Sequence, residues 1–379
     1  MSLFDVYPLF DITPVKGKDV YIYDDQGTQY LDLYGGHAVI SIGHTHPNYV
    51  TNISKQVAEL GFYSNSIQNP LQVELANRLE AFSGGKDYQL FMCNSGAEAN
   101  ENALKLASFH NGKHKVLAFR NSFHGRTSAA VVATDNPKVV APINAQQEAD
   151  FVELGDLDSV EAILKKNQTC AVIIECIQGV GGLDQATSEF YRGLEKLCIT
   201  HDTVLIADEV QSGFGRSGDF FAYQKHNITP DIISIAKGMG NGFPVGGILI
   251  HPRIKPWHGM LGTTFGGNHL ACVAALSVLD AIEKENLIDN TREMSEYFIK
   301  KASAIAKIKT LKGRGLMLGI EFDFPISELR KRLIYKHHIF TGSAKNPNLI
   351  RILPPLTIQK EHIDAFFEAL KIELSNETF

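Results

Sequence analysis

Five short runs, nearly continuous in Val, Ile, Leu, Phe and Ala, punctuate the middle of the chain at 88–94, 115–120, 170–177, 203–210 and 231–237. Runs of that length without a polar face suit strands buried on both sides. Between them the apolar positions recur at helical spacing, as in 98–109, 157–166 and 188–200. Strands alternating with helices predict an α/β chain built on a mostly parallel sheet flanked by helices. In such sheets ligands gather in the crevice at the C-terminal strand ends, so unusual polar residues at those ends carry the most information.

The flanks follow a different pattern. Residues 20–23 and 29–33 around Asp25-Gln26-Gly27 predict a hairpin. After Gly266-Gly267 a long helical pattern runs from 269 to 284, and 312–322 (KGRGLMLGIEF) and 349–354 are strand candidates. The expected organisation is an N-terminal segment, 1–45, that contributes to a small domain, a large domain at 46–265, and a smaller C-terminal α/β domain at 266–379. There is no internal repeat and no low-complexity linker.

Composition narrows the class. Of 379 residues 44% are hydrophobic and 21% charged, ordinary globular values that exclude disorder. A net charge of -6 gives no electrostatic reason to expect nucleic acid or an anionic membrane as partner. The five cysteines are scattered with no C-x-x-C pair, which points to free thiols in a reducing compartment and to no metal site. Residues 1–10 lack the basic and apolar regions of a signal peptide, and no stretch approaches the roughly 20 apolar residues of a membrane span. The expectation is a soluble cytoplasmic protein.

Chemistry concentrates at the strand ends. Lys237 closes the run 231–236 and precedes Gly238-Met239-Gly240-Asn241-Gly242. It is either a solvated strand-end residue or a desolvated amine poised to bond with an aldehyde. Asp208-Glu209-Val210-Gln211 ends another run. Two carboxylates there either pair with neighbouring helices or hold a cation, such as a protonated pyridine nitrogen. Asn94-Ser95-Gly96-Ala97-Glu98 opens a helix with exposed amides, which suit a phosphate or form a simple cap. Gly213-Phe-Gly215-Arg-Ser-Gly218 matches a dinucleotide fingerprint, but the acids at the same strand end would repel a pyrophosphate and no clear helix follows. Phe123-His124-Gly125-Arg126 offers a ring that can stack and a guanidinium that can clamp a carboxylate, as can Arg351; His124 and His269 read as local hydrogen-bonders.

Taken in order, the motifs 27–47, 94–100 (NSGAEAN), 122–127 (SFHGRT), 175–182 (ECIQGVGG), 208–211 (DEVQ), 236–246 (AKGMGNGFPVG), 262–268 (GTTFGGN) and 351–358 (RILPPLTI) resemble the class III pyridoxal-phosphate aminotransferases of fold type I over nearly the whole chain. Within that family the chain is most similar to the enzymes that act on acetylated ornithine in arginine biosynthesis. The resemblance implies pyridoxal 5′-phosphate as cofactor and transfer of the ω-amine of an N-acylornithine to 2-oxoglutarate, giving a semialdehyde and glutamate. N-Succinylornithine, free ornithine and 4-aminobutyrate are the competing donors, and an aminomutase is the rival on the same fold. It further implies that Lys237 bonds to the cofactor and moves the proton, that Asp208 pairs with the ring nitrogen within a cofactor-binding stretch 208–211, and that Gln211 meets the ring oxygen. Gly96 and Ala97 would cradle the phosphate and Phe123 would stack. Thr264 would reach the phosphate of a second subunit, which makes the enzyme a homodimer with sites at the interface. Thr263, Arg126 and Arg351 would contact substrate, Arg126 at the carboxylate far from the reacting carbon and Arg351 at the α-carboxylate of glutamate.

The chain departs from the family pattern in three places, at four positions. Val180 stands where a glutamate commonly pairs with the arginine matching Arg351, so Arg351 is expected to stand open or to be paired by a solvent anion or another acid. His37 and Ile40 stand where an apolar residue and an asparagine are frequent, and His269 stands where proline is usual.

Overall fold

Seven strands form the central sheet, in spatial order Gln89–Cys93, Gly246–Ile250, Ile232–Ile235, Val204–Asp208, Thr169–Ile174, Lys115–Phe119 and Ala149–Val152. The computed structural model describes residues 3–375; the outermost residues of the expected first and last segments, 1–2 and 376–379, lie outside the described residues. Only Gly246–Ile250 runs against its neighbours, antiparallel to the strands on both sides. Strands Thr169–Ile174 and Val204–Asp208 are buried at every position, as two-sided burial of apolar runs requires.

Helix Gly96–Asn111 crosses the sheet, with Ser95 as its N-cap accepting from the Glu98 amide at 3.2 Å. Helix His269–Lys284 is capped by Asn268 and buries ten residues. His269 is its first helical residue, where proline is also favoured, and its Nδ1 is buried without a hydrogen-bond partner among the described residues, so it is not the local hydrogen-bonder expected.

Two small sheets complete the chain. Pro14–Lys18, Tyr21–Asp24 and Gln29–Asp32 form the expected hairpin plus one strand, and Gln29–Asp32 pairs with Ile339–Phe340 across most of the sequence. The second sheet joins Thr310–Arg314, Met317–Glu321, Leu349–Ile352 and Gly342–Ser343. The single strand expected at 312–322 is therefore a hairpin, turning at Gly315, which has φ of 61°. The expected strand 349–354 is Leu349–Ile352 and carries Arg351, opposite Gly342.

Candidate functional site

A cavity of about 420 Å³ opens at the C-terminal ends of the parallel strands. Its wall includes Gly96, Ala97, Phe123, Arg126, Asp208, Val210, Gln211 and Lys237, which the sequence placed at separate strand ends. The reversed strand supplies its opposite end, Pro244 and Val245, to the same wall.

Lys237 follows Ile232–Ile235 with its backbone in the left-handed region, at φ of 47°. A non-glycine residue held there costs about 1–2 kcal/mol, and such strain collects at functional sites. Asn241, four residues on, fixes the loop: its Oδ1 accepts from Ser41 and Ile42 at 2.9 and 3.1 Å, and its Nδ2 donates to the Gly43 carbonyl at 2.9 Å. Burial lowers the Lys237 pKa below the ordinary lysine value; Asp208 and Glu175 oppose the shift and Arg351 adds to it.

Asp208 is 4% exposed, and both oxygens of its carboxylate accept hydrogen bonds. Oδ2 accepts from Asn100 Nδ2 and from the His124 ring Nδ1, each at 2.7 Å, while Oδ1 accepts from the Val210 amide at 3.0 Å. Three donors on one buried acid fix the position and orientation of its carboxylate. Sequence reasoning missed Asn100 and gave His124 only a local role. The signal for Asn100 was its position one turn after Gly96, which puts both on one helix face.

Gly96 and Ala97 occupy the first turn of their helix, where amides have no intrahelical acceptor. A Cβ on Gly96 would stand 2.5 Å from Val210 Cγ1, so the glycine lets the Val210 side chain close over the helix start. The amide of Phe123 donates to Glu175 Oε1 and that of Gly179 to Oε2, both at 2.9 Å. Glu175 thereby ties the Phe123 segment to the turn beside Arg351, a role the sequence did not reveal. Burial raises the pKa of this acid. Arg126 lies exposed at the rim with no ion pair among the described residues.

Several expected site residues lie elsewhere. Glu209 does not line the cavity, contrary to its inclusion in the cofactor-binding stretch. Its carboxylate accepts from the amides of Ala222 and Tyr223 at 2.9 and 2.8 Å and from the Ser212 hydroxyl at 2.7 Å, and burial pushes its pKa up to about 7. Adjacent residues at a strand end point to opposite sides, which separates it from Asp208. Thr263 borders a neighbouring cavity, and Thr264 is exposed beside Phe265, away from this chain's own site. Arg351 is 3% exposed and does not stand open. Nor does an acid pair with it among the described residues: it donates to the carbonyls of Ser343 and Gly179 at 2.6 and 2.8 Å and to the Tyr34 hydroxyl at 3.4 Å. In the glycine-rich turn after Glu209, Arg216 is buried and donates to the carbonyls of Leu316, Pro354 and Ile40, a structural use of the G-x-G-x-x-G segment.

Gln211 Oε1, His124 Nε2 and Asn100 Oδ1 are buried without a hydrogen-bond partner among the described residues, and all three residues line the cavity. Orphaned polar atoms around an enclosed space fit a bound polar group. The family model for class III aminotransferases matches residues 5–374. The chain belongs to the class III aminotransferases. Pyridoxal 5′-phosphate is the cofactor of that class, and the orphaned atoms, the helix-start amides and the Asp208–Lys237 pair fit it. This aminotransferase is 40% identical to the acetylornithine aminotransferase of Aquifex aeolicus, over 97% of this chain and 98% of the relative. Among solved structures it is similar to the N-acetylornithine aminotransferase of Stenotrophomonas maltophilia, with TM-score 0.81 and 28% identity over 97% of this chain and 96% of that one. It is also similar to an ornithine aminotransferase from Toxoplasma gondii that holds PLP at partial occupancy in its active site, with TM-score 0.88 and 26% identity over 97% and 91% of the two chains.

Proposed function

We propose that this aminotransferase moves the ω-amino group of N-acetylornithine to 2-oxoglutarate, giving N-acetylglutamate semialdehyde and glutamate, in arginine biosynthesis. The observation that carries the reading is one cavity that joins a desolvated lysine, a buried aspartate held by Asn100 and His124, and an unpaired rim arginine. The names of its relatives support the donor.

The cofactor, when bound, supplies an aldehyde that takes up the amine and a ring that stores electron density while the ring nitrogen stays protonated. The chain's own groups do the rest. Gly96 and Ala97 would hold the phosphate with backbone amides, Phe123 and Val210 would enclose the ring, and Gln211 would take the ring hydroxyl. Asp208, fixed by Asn100 and His124, would pair with the ring nitrogen. Lys237 Nζ, with its lowered pKa, would accept the proton from the substrate carbon and return it to the cofactor carbon. Arg126 binds the carboxylate remote from the reacting carbon, and Arg351 the α-carboxylate of glutamate. The donor and the acceptor use one site in turn.

The enzyme works as a homodimer. Val57, Leu60, Phe62, Tyr63, Ile67 and Phe265 are all exposed, and the ring of Phe265, next to Thr264 in sequence, lies 5.5 Å from that of Phe62. An apolar surface of that kind beside a ligand cavity suits a second copy of the chain. It would bring Thr264 to the neighbouring phosphate site and Thr263 to the substrate. The five free cysteines, all buried, agree with a cytoplasmic enzyme, and no helix among the described residues is long and apolar enough to cross a membrane.

Mixing the holoenzyme with N-acetylornithine should convert the cofactor to its aminated form, and 2-oxoglutarate should restore the starting spectrum. Turnover without any keto acid would instead identify an aminomutase. A second expected result concerns Val180, which lines the cavity one residue from Gly179. Val180→Glu should place a competing carboxylate near Arg351 and weaken 2-oxoglutarate and glutamate by about 1–2 kcal/mol, roughly 5- to 30-fold. The acylornithine half-reaction should change less. Stopped-flow measurement of each half-reaction checks this, and equal losses in both would contradict the placing of substrate on Arg351.

A further inference from the structure

Residues 35–38 form a turn with four successive positive φ angles, Gly35 at 55°, Gly36 at 55°, His37 at 69° and Ala38 at 64°. Two of the four carry side chains that disfavour this region, so the surrounding structure must impose it. It does so from both ends. The amides of Tyr34 and Gly35 donate to Asp32 Oδ1 at 3.0 and 2.8 Å, and Gln211, in the cavity wall, donates to the His37 carbonyl at 3.2 Å. Immediately beyond, Ser41 and Ile42 are tied to Asn241 in the loop after Lys237. The turn is thus built into the site.

What this strained turn presents is a polar chain that ends on Arg351. The guanidinium is anchored by Nε on the Ser343 carbonyl and by Nη1 on the Gly179 carbonyl, and its Nη2 donates to the Tyr34 hydroxyl at 3.4 Å. Its carbon lies 5.8 Å from the centre of the Tyr34 ring. The hydroxyl lies 2.5 Å from His37 Nδ1. A guanidinium only donates, so the phenol proton is free to go to the imidazole, and the chain runs Arg351 to Tyr34 to His37 with the histidine neutral. Desolvation, then the charges of Arg351 and Lys237, shift the His37 pKa downward, in the direction of the neutral ring that this geometry uses. The Tyr34 ring is seated by Gly342, where a Cβ would stand 2.4 Å from it.

We propose that the Tyr34 hydroxyl, held by His37, is a displaceable neutral cover for Arg351, in place while the acylornithine is bound and yielding to the α-carboxylate of glutamate or 2-oxoglutarate. The inference rests on the transaminase reading above. A long contact to a neutral oxygen is weaker than a charge-assisted one to a carboxylate, so the incoming acid wins the exchange. Val180 offers no competing acid. The pair Tyr34 and His37 therefore sets how strongly this chain binds dicarboxylates, and it leaves donors without a carboxylate at the reacting carbon nearly untouched.

The test uses the holoenzyme, with Tyr34→Phe and His37→Gly. The first keeps the ring on Gly342, and the second suits the left-handed backbone. Calorimetric affinity for glutarate, a dicarboxylate that cannot react, should rise by roughly 3- to 10-fold in Tyr34→Phe. Half-saturation by glutamate should fall in step, more than the limiting rate changes, with a smaller effect on N-acetylornithine. His37→Gly should act in the same direction, and the double variant should not exceed Tyr34→Phe alone. Unchanged or weaker glutarate binding in Tyr34→Phe would overturn the proposal, because the hydroxyl would then be a filler or a substrate ligand. A wild-type enzyme inert to both glutamate and N-acetylornithine would instead sink the transaminase reading, while glutarate binding still reports on the hydroxyl.

Discussion

Lys237→Ala is expected to abolish the borohydride-reducible bond between chain and cofactor and to cut turnover by roughly 10⁴-fold or more, with the oligomeric state unchanged. The loss is large because, among the described residues, no other lysine lines the cavity to take over the proton transfer. The fold should survive. Alanine meets the same backbone strain at φ of 47° as lysine does. Burial also lowers the lysine's pKa in the folded state, so in the apoenzyme the side chain costs stability at pH values below its unfolded pKa. The cost is full below the folded pKa and fades as pH rises toward the unfolded one. At neutral pH the apo variant should therefore melt no lower than the wild type. Reduction with borohydride followed by peptide mass analysis checks the first claim; a cofactor adduct that persists in the variant places the bond on another residue.

Asp208→Asn is expected to keep the cofactor and lose several orders of magnitude in the single-turnover rate, since each unit of pKa lost from the ring nitrogen is tenfold in its protonated fraction. Stability should fall as well. Oδ2 accepts two donors and Oδ1 a third, and an amide turns part of that acceptor surface into a donor facing donors. One unsatisfied buried partner costs about 1–3 kcal/mol. His124 can relieve part of this by accepting at Nδ1, whereas Asn100 Nδ2 and the Val210 amide cannot. A near-normal single-turnover rate would mean that the acid lies elsewhere. Glu209 is then a poor substitute, because its carboxylate is committed to Ser212, Ala222 and Tyr223.

What the chain revealed in advance follows the range of the interactions involved. The doubly buried strands, the helix His269–Lys284 and the residues at strand ends were legible because continuous apolar runs and helical periodicity are local signals. Strand Gly246–Ile250 escaped because it opens on two glycines, which read as a loop. In the sheet they allow close approach, since a Cβ on Gly246 would stand 2.7 Å from the Ser95 carbonyl. Strand Ala149–Val152 lies at the sheet edge, short and partly polar. The hairpin at 310–321 was read as one strand because its two-residue turn, Gly315-Leu316, is flanked by strand-forming residues.

In the site, Lys237, Asp208 and the Gly96 helix start stood out by position, each beside a purely structural reading, and the family resemblance gave them their roles. The cover on Arg351 was not. Its contacts span 172 residues to Gly179 and 317 to Tyr34, and nothing local in the sequence brings those groups together. Val180 suggested an arginine without its partner; the fold supplies carbonyls and a phenol instead. The split between Asp208 and Glu209 was available from the alternation of side chains along a strand, and adjacency in sequence concealed it.

Side-by-side specificity constants for N-acetylornithine, N-succinylornithine and free ornithine, with 2-oxoglutarate as acceptor, test the central claim most directly. Arg126 and Arg351 are both cationic, and free ornithine brings an unpaired ammonium toward them that acylation removes. The account expects both acylated donors to lead free ornithine, with N-acetylornithine first. A lead for free ornithine would contradict it.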